Sequence, residues 1–388
     1  MVLEPKARTV RATRRNDTNT KIVQLAELIT QVGPDINEIS RRLGQHKESV
    51  RYRYIEKILG KRFTVQASVN HEKLGLRRVV LLADFAREYS GYARAILSAM
   101  NELCYVVYFE KRMFSGDYLI EASVPSEHVR RFMDFMEKLR SKGILRNLEM
   151  VSFDWFRTIP MRAQSYDFDT GRWDFDWSAA QNCSREAAYS PSERVRFDRV
   201  DLFILKELQI NATIDFIDIA RKLKENYKTL TWHHRTHVLS RGMINGYYLR
   251  WMGTSYSTTL ERALHRMHRY HHVALLATSL QEVERMNLAA KLHNIPFLWS
   301  EMVGQNEYCG HFYFPMENVT EAYQFITNSI SDIKDRVRIM ALDQTEALSF
   351  TFSYQLFDEE SKQWSFNEPS LLARFDGLIA KIGEIGGA

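Results

Sequence analysis

The chain has 388 residues, 45% of them hydrophobic and 12% aromatic, with a net charge of +5. That length suggests more than one domain and enough apolar mass for real cores. The three cysteines, Cys104, Cys183 and Cys309, lie far apart with no CxxC pair, which excludes a zinc finger and fits a reducing compartment. The opening "MVLEPKARTVRATRRNDTNT" has no apolar core for a secretory signal, and no run reaches the ~20 apolar residues of a membrane span. A cytoplasmic, nucleoid-associated protein is expected.

The charge is uneven. Residues 1–65 hold 14 Lys and Arg against 7 Asp and Glu, more positive charge than the whole chain nets. A polyanion partner is expected at this end. Lys6, Arg8, Arg11, Arg14 and Arg15 read as a basic flexible arm over 1–16, able to follow a nucleic-acid groove or backbone.

The elements then follow in order. Ile22, Leu25, Ala26 and Ile29 form one helical stripe, broken at Gly33-Pro34. Asp35 is placed to cap a short helix, with Glu38 completing a capping-box pattern, and Ile36, Ile39, Ser40 and Leu43 face inward. After Gly44 a third helix runs from about His46 to Leu59. Its apolar side carries Val50, Tyr54, Ile55, Ile58 and Leu59. The strand "FTVQASV" follows, giving the outline of a winged helix-turn-helix over 17–70. The stretch 71–178 alternates strand and helix: "VVLLADF", "SGYARAILSAMN", "YVVYF", "YLIEASV", "SEHVRRFMDFMEKLRS", "NLEMVSF". That β-α-β-β-α-β order is ferredoxin-like.

The chain then repeats itself. "DINEISRRL" (35–43) aligns with "DFIDIARKL" (215–223), "YVVYFEKRMFSGDYLIEASVP" (105–125) with "IPFLWSEMVGQNEYCGHFYFP" (295–315), and "FDTGRWDF" (168–175) with "FDEESKQWSF" (357–366), in order and offset by about 180–191 residues. The fold class expected is therefore α+β with two tandem repeats. Each is a winged helix-turn-helix followed by a ferredoxin-like (βαββαβ) domain with an added Trp-bearing hairpin. A polar linker at 179–194 separates the first from a second winged helix-turn-helix at 195–252, with "MINGYYLRW" as its strand pair. A second ferredoxin-like domain covers 253–368, and a C-terminal helix 369–388.

The third helix carries the functional expectation. Gln45, His46, Lys47, Ser49, Tyr52 and Arg53 lie on its amino end and outward side, with Arg51 nearer the apolar edge. Such groups read base edges in a major groove. Arg41, Arg42 and Lys57, with Lys61 and Arg62, suit phosphate contacts. The second half offers Lys228, Thr229, Trp232 and His233, with Asn226, in a less basic window (11 Lys and Arg against 7 Asp and Glu over 190–250).

The motifs "EISRRLG", "SVRYR" and "VNHEKLGL", followed by strands, resemble the leucine-responsive regulator/AsnC family, particularly its archaeal members. "SGDYLI" resembles the turn between that family's central strands. The second half departs from the pattern, with Lys224-Glu225 where the Leu-Gly ending would stand. The resemblance implies sheet domains that pair, here as an internal pseudo-dimer with a homodimer open. It also implies a small effector, placed near Ser115, Gly116 and Asp117 against the alternative of a plain turn.

The function expected is a sequence-specific DNA-binding transcription regulator acting on double-stranded DNA, not an enzyme, with no cofactor and no metal. "HRMHRYHH" (265–272) lacks interleaved ligands, and no Walker loop, GxSxG, HExxH or dinucleotide fingerprint occurs. Two alternatives stay open. One is a protein-interaction scaffold of transcription or replication machinery. The other is an enzyme similar to sirohaem decarboxylases, where the same unit is also duplicated; that likeness implies a tetrapyrrole between the sheets, with His and Tyr as acids.

Overall fold

A computed structural model describes residues 6–61, 63–180, 189, 192–251 and 269–386. In chain order the first part holds α1 (Lys6–Val32), α2 (Ile36–Leu43), α3 (Lys47–Arg53, running into a π-helical turn Tyr54–Leu59), β1 (Thr64–Val69), β2 (Leu76–Phe85), α4 (Arg87–Ser90), α5 (Ala93–Cys104), β3 (Val106–Arg112), β4 (Tyr118–Pro125), α6 (Val129–Ser141), β5 (Leu145–Phe153), β6 (Trp155–Thr158), the two-residue strands β7 (Tyr166–Asp167) and β8 (Arg172–Trp173), and α7 (Trp177–Ala180). The second part holds α8 (Arg199–Ile210), α9 (Phe216–Leu223), α10 (Tyr227–His233, again with a π-helical turn, His234–Leu239), β9 (Ile244–Arg250), β10 (Tyr270–Ala277), α11 (Glu282–Leu292), β11 (Leu298–Val303), β12 (Tyr308–Pro315), α12 (Val319–Ser329), β13 (Val337–Ser349), β14 (Phe357–Asp358), β15 (Gln363–Trp364) and α13 (Glu368–Gly386).

The helical stripes behave as their spacing predicts. Ile22, Leu25, Ala26 and Ile29 are buried. Asp35 caps α2 by accepting from the Asn37 and Glu38 amides. Glu38 does not reach back to the cap but turns to Arg41 and Arg42, at 2.6 and 2.7 Å. On α3, Val50, Tyr54 and Ile58 are buried, whereas Ile55 is 47% exposed. Of the stretch expected to be a basic arm, residues 6–16 belong to α1 and residues 1–5 lie outside the described residues.

The wings are not hairpins within each part. Among the described residues β1 and β9 have no other strand partner and pair with one another, antiparallel, from Thr64↔Arg250 to Val69↔Ile244. Two lone strands would each leave a row of unpaired backbone groups, and joining satisfies both. α1 packs on this small sheet at Gly33, whose φ is 75°. A Cβ there would stand 2.7 Å from the Tyr247 ring. Gly33→Ala is expected to cost about 1–3 kcal/mol, read as a lowered thermal midpoint.

The large sheet runs β5-β2-β4-β3-β13-β10-β12-β11-β6, antiparallel throughout. Its two ends, β5 and β6, are separated along the chain by Asp154 alone, whose amide bonds the Val303 carbonyl at 3.0 Å. The sheet therefore closes on itself as a barrel. One bent strand, 145–158, pairs with β2 through its first part and with β11 through its last. β13 does the same between β10 and β3. The helices cover the outside. Inside lies a separate cluster of Val80, Leu82, Leu119, Phe153, Ala274, Leu276, Met302, Cys309, Met340 and Leu342.

The Trp-bearing hairpins cross over. Trp173 of the first packs on Trp251 and Phe297, with ring centres 4.9 and 5.1 Å apart. Trp364 of the second is buried, and its indole N–H donates to the Leu74 carbonyl at 3.0 Å. α13 docks on α6, with Phe375 buried beside Phe135 and Lys142 on Asp376 at 2.6 Å.

Candidate active site at the barrel mouth

Side chains alternate along each barrel strand, so residues two apart share the interior. Following the inward phase of β2 from Leu82 through Val80 leads to Arg78. The same phase of β4 runs Leu119, Glu121, Ser123; of β10, Leu276, Ala274, His272; of β12, Cys309, His311, Tyr313. The barrel is thus apolar at one end and polar at the other, where Tyr108 and Glu110 of β3 join in. Buried ionisable groups of this kind must be paired or hydrogen-bonded.

They form a chain. Glu110 Oε2 meets His272 Nδ1 at 2.5 Å, and the Tyr108 hydroxyl also donates to it. His272 Nε2 lies 3.1 Å from His311 Nδ1, and His311 Nε2 lies 3.2 Å from Glu121 Oε1. Arg78 closes the row, 3.5 Å from Glu121 with its guanidinium 3.9 Å over the Phe156 ring. Tyr313 stacks flat on His272, ring centres 4.1 Å apart.

Burial pushes the Glu121 carboxyl up, with Arg78 and His272 offsetting only part of it. Burial, then the charges of His272 and Arg78, push the His311 imidazole well below its ordinary value. With a protonated Glu121 donating to His311 Nε2, His311 donates from Nδ1 to His272 and His272 from Nδ1 to Glu110, so each of these contacts is a hydrogen bond. In that arrangement Glu121 carries the proton, in line with the burial that raises its carboxyl. Beside it His71 Nδ1 bonds the Ser123 hydroxyl at 2.7 Å, while its buried Nε2 has no hydrogen-bond partner among the described residues. Burial, then the charge of Arg78, holds His71 well below its ordinary value, which favours a neutral ring.

A cavity lies over this row, between the barrel mouth and the β1–β9 sheet. Its inner chamber, about 90 Å³, is walled by His71, Arg78, Tyr108, Glu121, His272, His311 and Tyr313, with Tyr248, Arg250 and Trp299. An outer chamber of about 410 Å³ shares Ser68, Phe156, Thr158 and Tyr248 with it and adds Trp155, Arg157, Tyr189 and Glu301. Glu301 is fully buried. Burial alone would raise its carboxyl, but bonds from His293 and Arg157 outweigh that and lower it. The place thus offers flat aromatic faces, guanidinium groups and a stored proton. It suits a planar, carboxylate-bearing ligand.

The residues expected to read DNA are elsewhere. His46, Lys47, Ser49, Arg51 and Tyr52 are exposed on α3, Tyr52 by 64%. Arg53 is half-buried, held by the Gln45 side chain and by the Ser49 carbonyl at 3.1 Å. Lys57 pairs with Asp169 of the first hairpin at 3.1 Å. Lys228, Thr229 and Trp232 are exposed on α10, but His233 is not outward: it is buried against Asp201 at 2.8 Å. It packs against the first turn of α8. Ser115, Gly116 and Asp117 form an exposed turn beside Phe114, which is 92% exposed. Gly116 has φ 77°, and Asp117 is engaged by Arg112 at 2.7 Å and by Ser115. In the His-rich stretch, His265 and His268 lie outside the described residues, and His271 and His272 stand on a strand.

No family model matches the sequence, and no curated protein matches it significantly. Solved structures do. The siroheme decarboxylase NirDL superposes with a TM-score of 0.52 at 10% identity, over 92% of this chain and 99% of that one. NirDL in complex with an iron-uroporphyrin III analogue gives 0.50 at 9%, over 88% and 97%. An AsnC-family transcriptional regulator from Agrobacterium tumefaciens gives 0.25 at 13%, over 33% and 85%. The chain has the fold of the full-length NirDL chain, and AsnC-type regulators match only about a third of it. The expectation of a non-enzymatic protein is contradicted by this match, since a solved structure that shares the fold over 92% of this chain is that of an enzyme. Among the described residues no helix is long and apolar enough to cross a membrane.

Sequence reasoning passed over the barrel-mouth row. A signal was available: Glu121 and His311 each interrupt an otherwise apolar strand, where a charged side chain is costly without a partner.

Proposed function

We propose that the chain is an enzyme that removes carboxylate groups, as carbon dioxide, from an iron tetrapyrrole held in the barrel-mouth cavity. The observation that carries this is the buried row Glu110–His272–His311–Glu121–Arg78 at the floor of a chamber walled by aromatic faces. The sheets of the two parts of the chain join through β3 and β13, and the site sits at their junction.

The chemistry needs one proton per carboxylate lost. The bond from the side-chain methylene to the carboxylate carbon breaks, its electron pair stays on the methylene, and carbon dioxide leaves. The protonated Glu121, facing the chamber, delivers a proton to that carbon. The negative charge left on Glu121 is stabilised by Arg78, 3.5 Å away. Trp155, Phe156, Tyr248 and Trp299 supply stacking surface, and Arg157 and Arg250 stand where carboxylates of the substrate would reach. Iron uroporphyrin III added to the full chain is expected to shift its Soret band at a one-to-one ratio, and incubation to give products lighter by whole carbon dioxide units. No spectral shift and no mass loss would defeat the proposal.

A second reading, a DNA-binding regulator, is favoured by the open face of α3, where His46, Lys47, Ser49, Arg51 and Tyr52 stay exposed. It gives an affinity for duplex DNA that falls by about 10³-fold or more between ~50 and ~200 mM salt if six or more phosphates are engaged. Lys47→Ala would then flatten that salt dependence, and Tyr52→Ala would weaken binding. A flat salt response in a fluorescence anisotropy titration removes this reading.

A further inference from the structure

On the far side of the second helix-turn-helix, four side chains converge that the barrel mouth does not use. Asp198 is the cap of α8 and Asp201 is three residues on, each carboxylate accepting from the other's backbone amide, at 3.0 and 3.2 Å. His233 and His237, one turn apart across the end of α10 and its π-helical turn, point their Nδ1 atoms at the same place. His233 Nδ1 lies 2.8 Å from Asp201 Oδ1 and 3.7 Å from Asp198 Oδ2. His237 Nδ1 lies 3.1 Å from both oxygens of Asp201. One ligand atom from each of the four falls within 4.8 Å of the others.

We propose that Asp198, Asp201, His233 and His237 bind a divalent first-row transition metal, with zinc as the reference ion. Neutral imidazole and carboxylate are the ligands such ions take at ~2.0–2.1 Å, and tetrahedral placement at that radius spaces ligand atoms by roughly 3.3 Å. The separations here bracket that value, so modest side-chain shifts seat an ion. The carboxylates are oriented beforehand by the reciprocal capping bonds, the outer support that metal ligands generally need. Asp201 is fully buried, and its side-chain partners here are imidazoles. A cavity of about 720 Å³, lined by Asp198, Asp201, His237 and Arg241, opens onto the cluster and gives an ion a way in. The 180-residue offset between "DINEISRRL" and "DFIDIARKL" puts Thr18, Lys21, Arg53 and Lys57 at the matching positions of the first part, a set that repels cations. The site therefore belongs to one of the two units. The metal ties α10 to α8 there, and in the first unit Arg53 and Lys57 bond to Gln45 and Asp169 instead.

The test uses the full chain, stripped with a chelator and titrated with Co²⁺. Intense visible d–d bands of tetrahedral type are expected, displaced by Zn²⁺ at one equivalent, and Zn²⁺ should raise the melting temperature. His237→Gln and Asp198→Asn, each checked for fold by circular dichroism, should each weaken the metal at least about 10–100-fold. Absence of the tetrahedral bands, or bands and affinity unchanged in both variants, overturns the proposal. A loss of stability in His237→Gln without any Co²⁺ spectrum would reduce the cluster to hydrogen bonds and also overturn it.

Discussion

Glu121→Gln is expected to lower turnover of the tetrapyrrole substrate by about 10²–10⁴-fold while leaving its binding nearly unchanged. The substitution keeps size and keeps a donor: the new amide N–H can serve His311 Nε2, now 3.2 Å from Glu121 Oε1. What disappears is the transferable proton. A Soret titration with iron uroporphyrin III and a single-turnover assay on the same preparation separate binding from chemistry. Equal turnover in the two proteins would take the proton donation away from Glu121. The pH profile gives a second reading of the same group. Burial raises the Glu121 carboxyl above its ordinary value. The donor is therefore loaded at low pH and empties as pH rises through that raised value, so turnover should decline along this limb in the wild type. Glu121→Gln should lack it. The stability sign is the same: a carboxyl raised in the folded state contributes stability below its unfolded value, and that contribution is lost as pH climbs through the folded one.

Phe153→Ala should destabilise the chain by about 3–5 kcal/mol, the cost of emptying a fully packed aromatic site. Phe153 is 1% exposed and lies in the barrel interior opposite Arg78, at the last residue before the bend at Asp154. Its burial depends on closure. Were β5 the open edge of a flat sheet, the same substitution would cost within ~0.5 kcal/mol of nothing, as surface changes usually do. Chemical denaturation with the midpoint and slope measured for both proteins distinguishes the two. The variant should also lose macrocycle binding before it loses helicity, because Phe156, on the other side of the bend, lines both chambers.

The comparison of sequence with structure turns on which interactions are local. The stripe Ile22, Leu25, Ala26, Ile29 needed only helical periodicity to be read, and all four are buried. The α2 cap at Asp35 and the turn at Gly44 were legible for the same reason. The pairing of β1 with β9 was not, because a strand's own residues say that it needs a partner, not which one. His233 sits where the wheel places an outward residue, yet Asp201 draws it in from α8. Arg53 has the chemistry of a base reader and spends it on Gln45 and Ser49.

By itself the sequence determined the order of most elements, the buried stripes of the first two helices, the basic amino-terminal end and the presence of charged residues on apolar strands. Those follow from side-chain period and local capping, which act within a few residues. Tertiary structure alone decided that the sheet closes through one strand bent at Asp154, and that Glu110, Glu121, His272 and His311, drawn from four strands, touch in one row. Contacts such as Glu110–His272, between residues 162 positions apart, depend on register and closure, which no local pattern encodes.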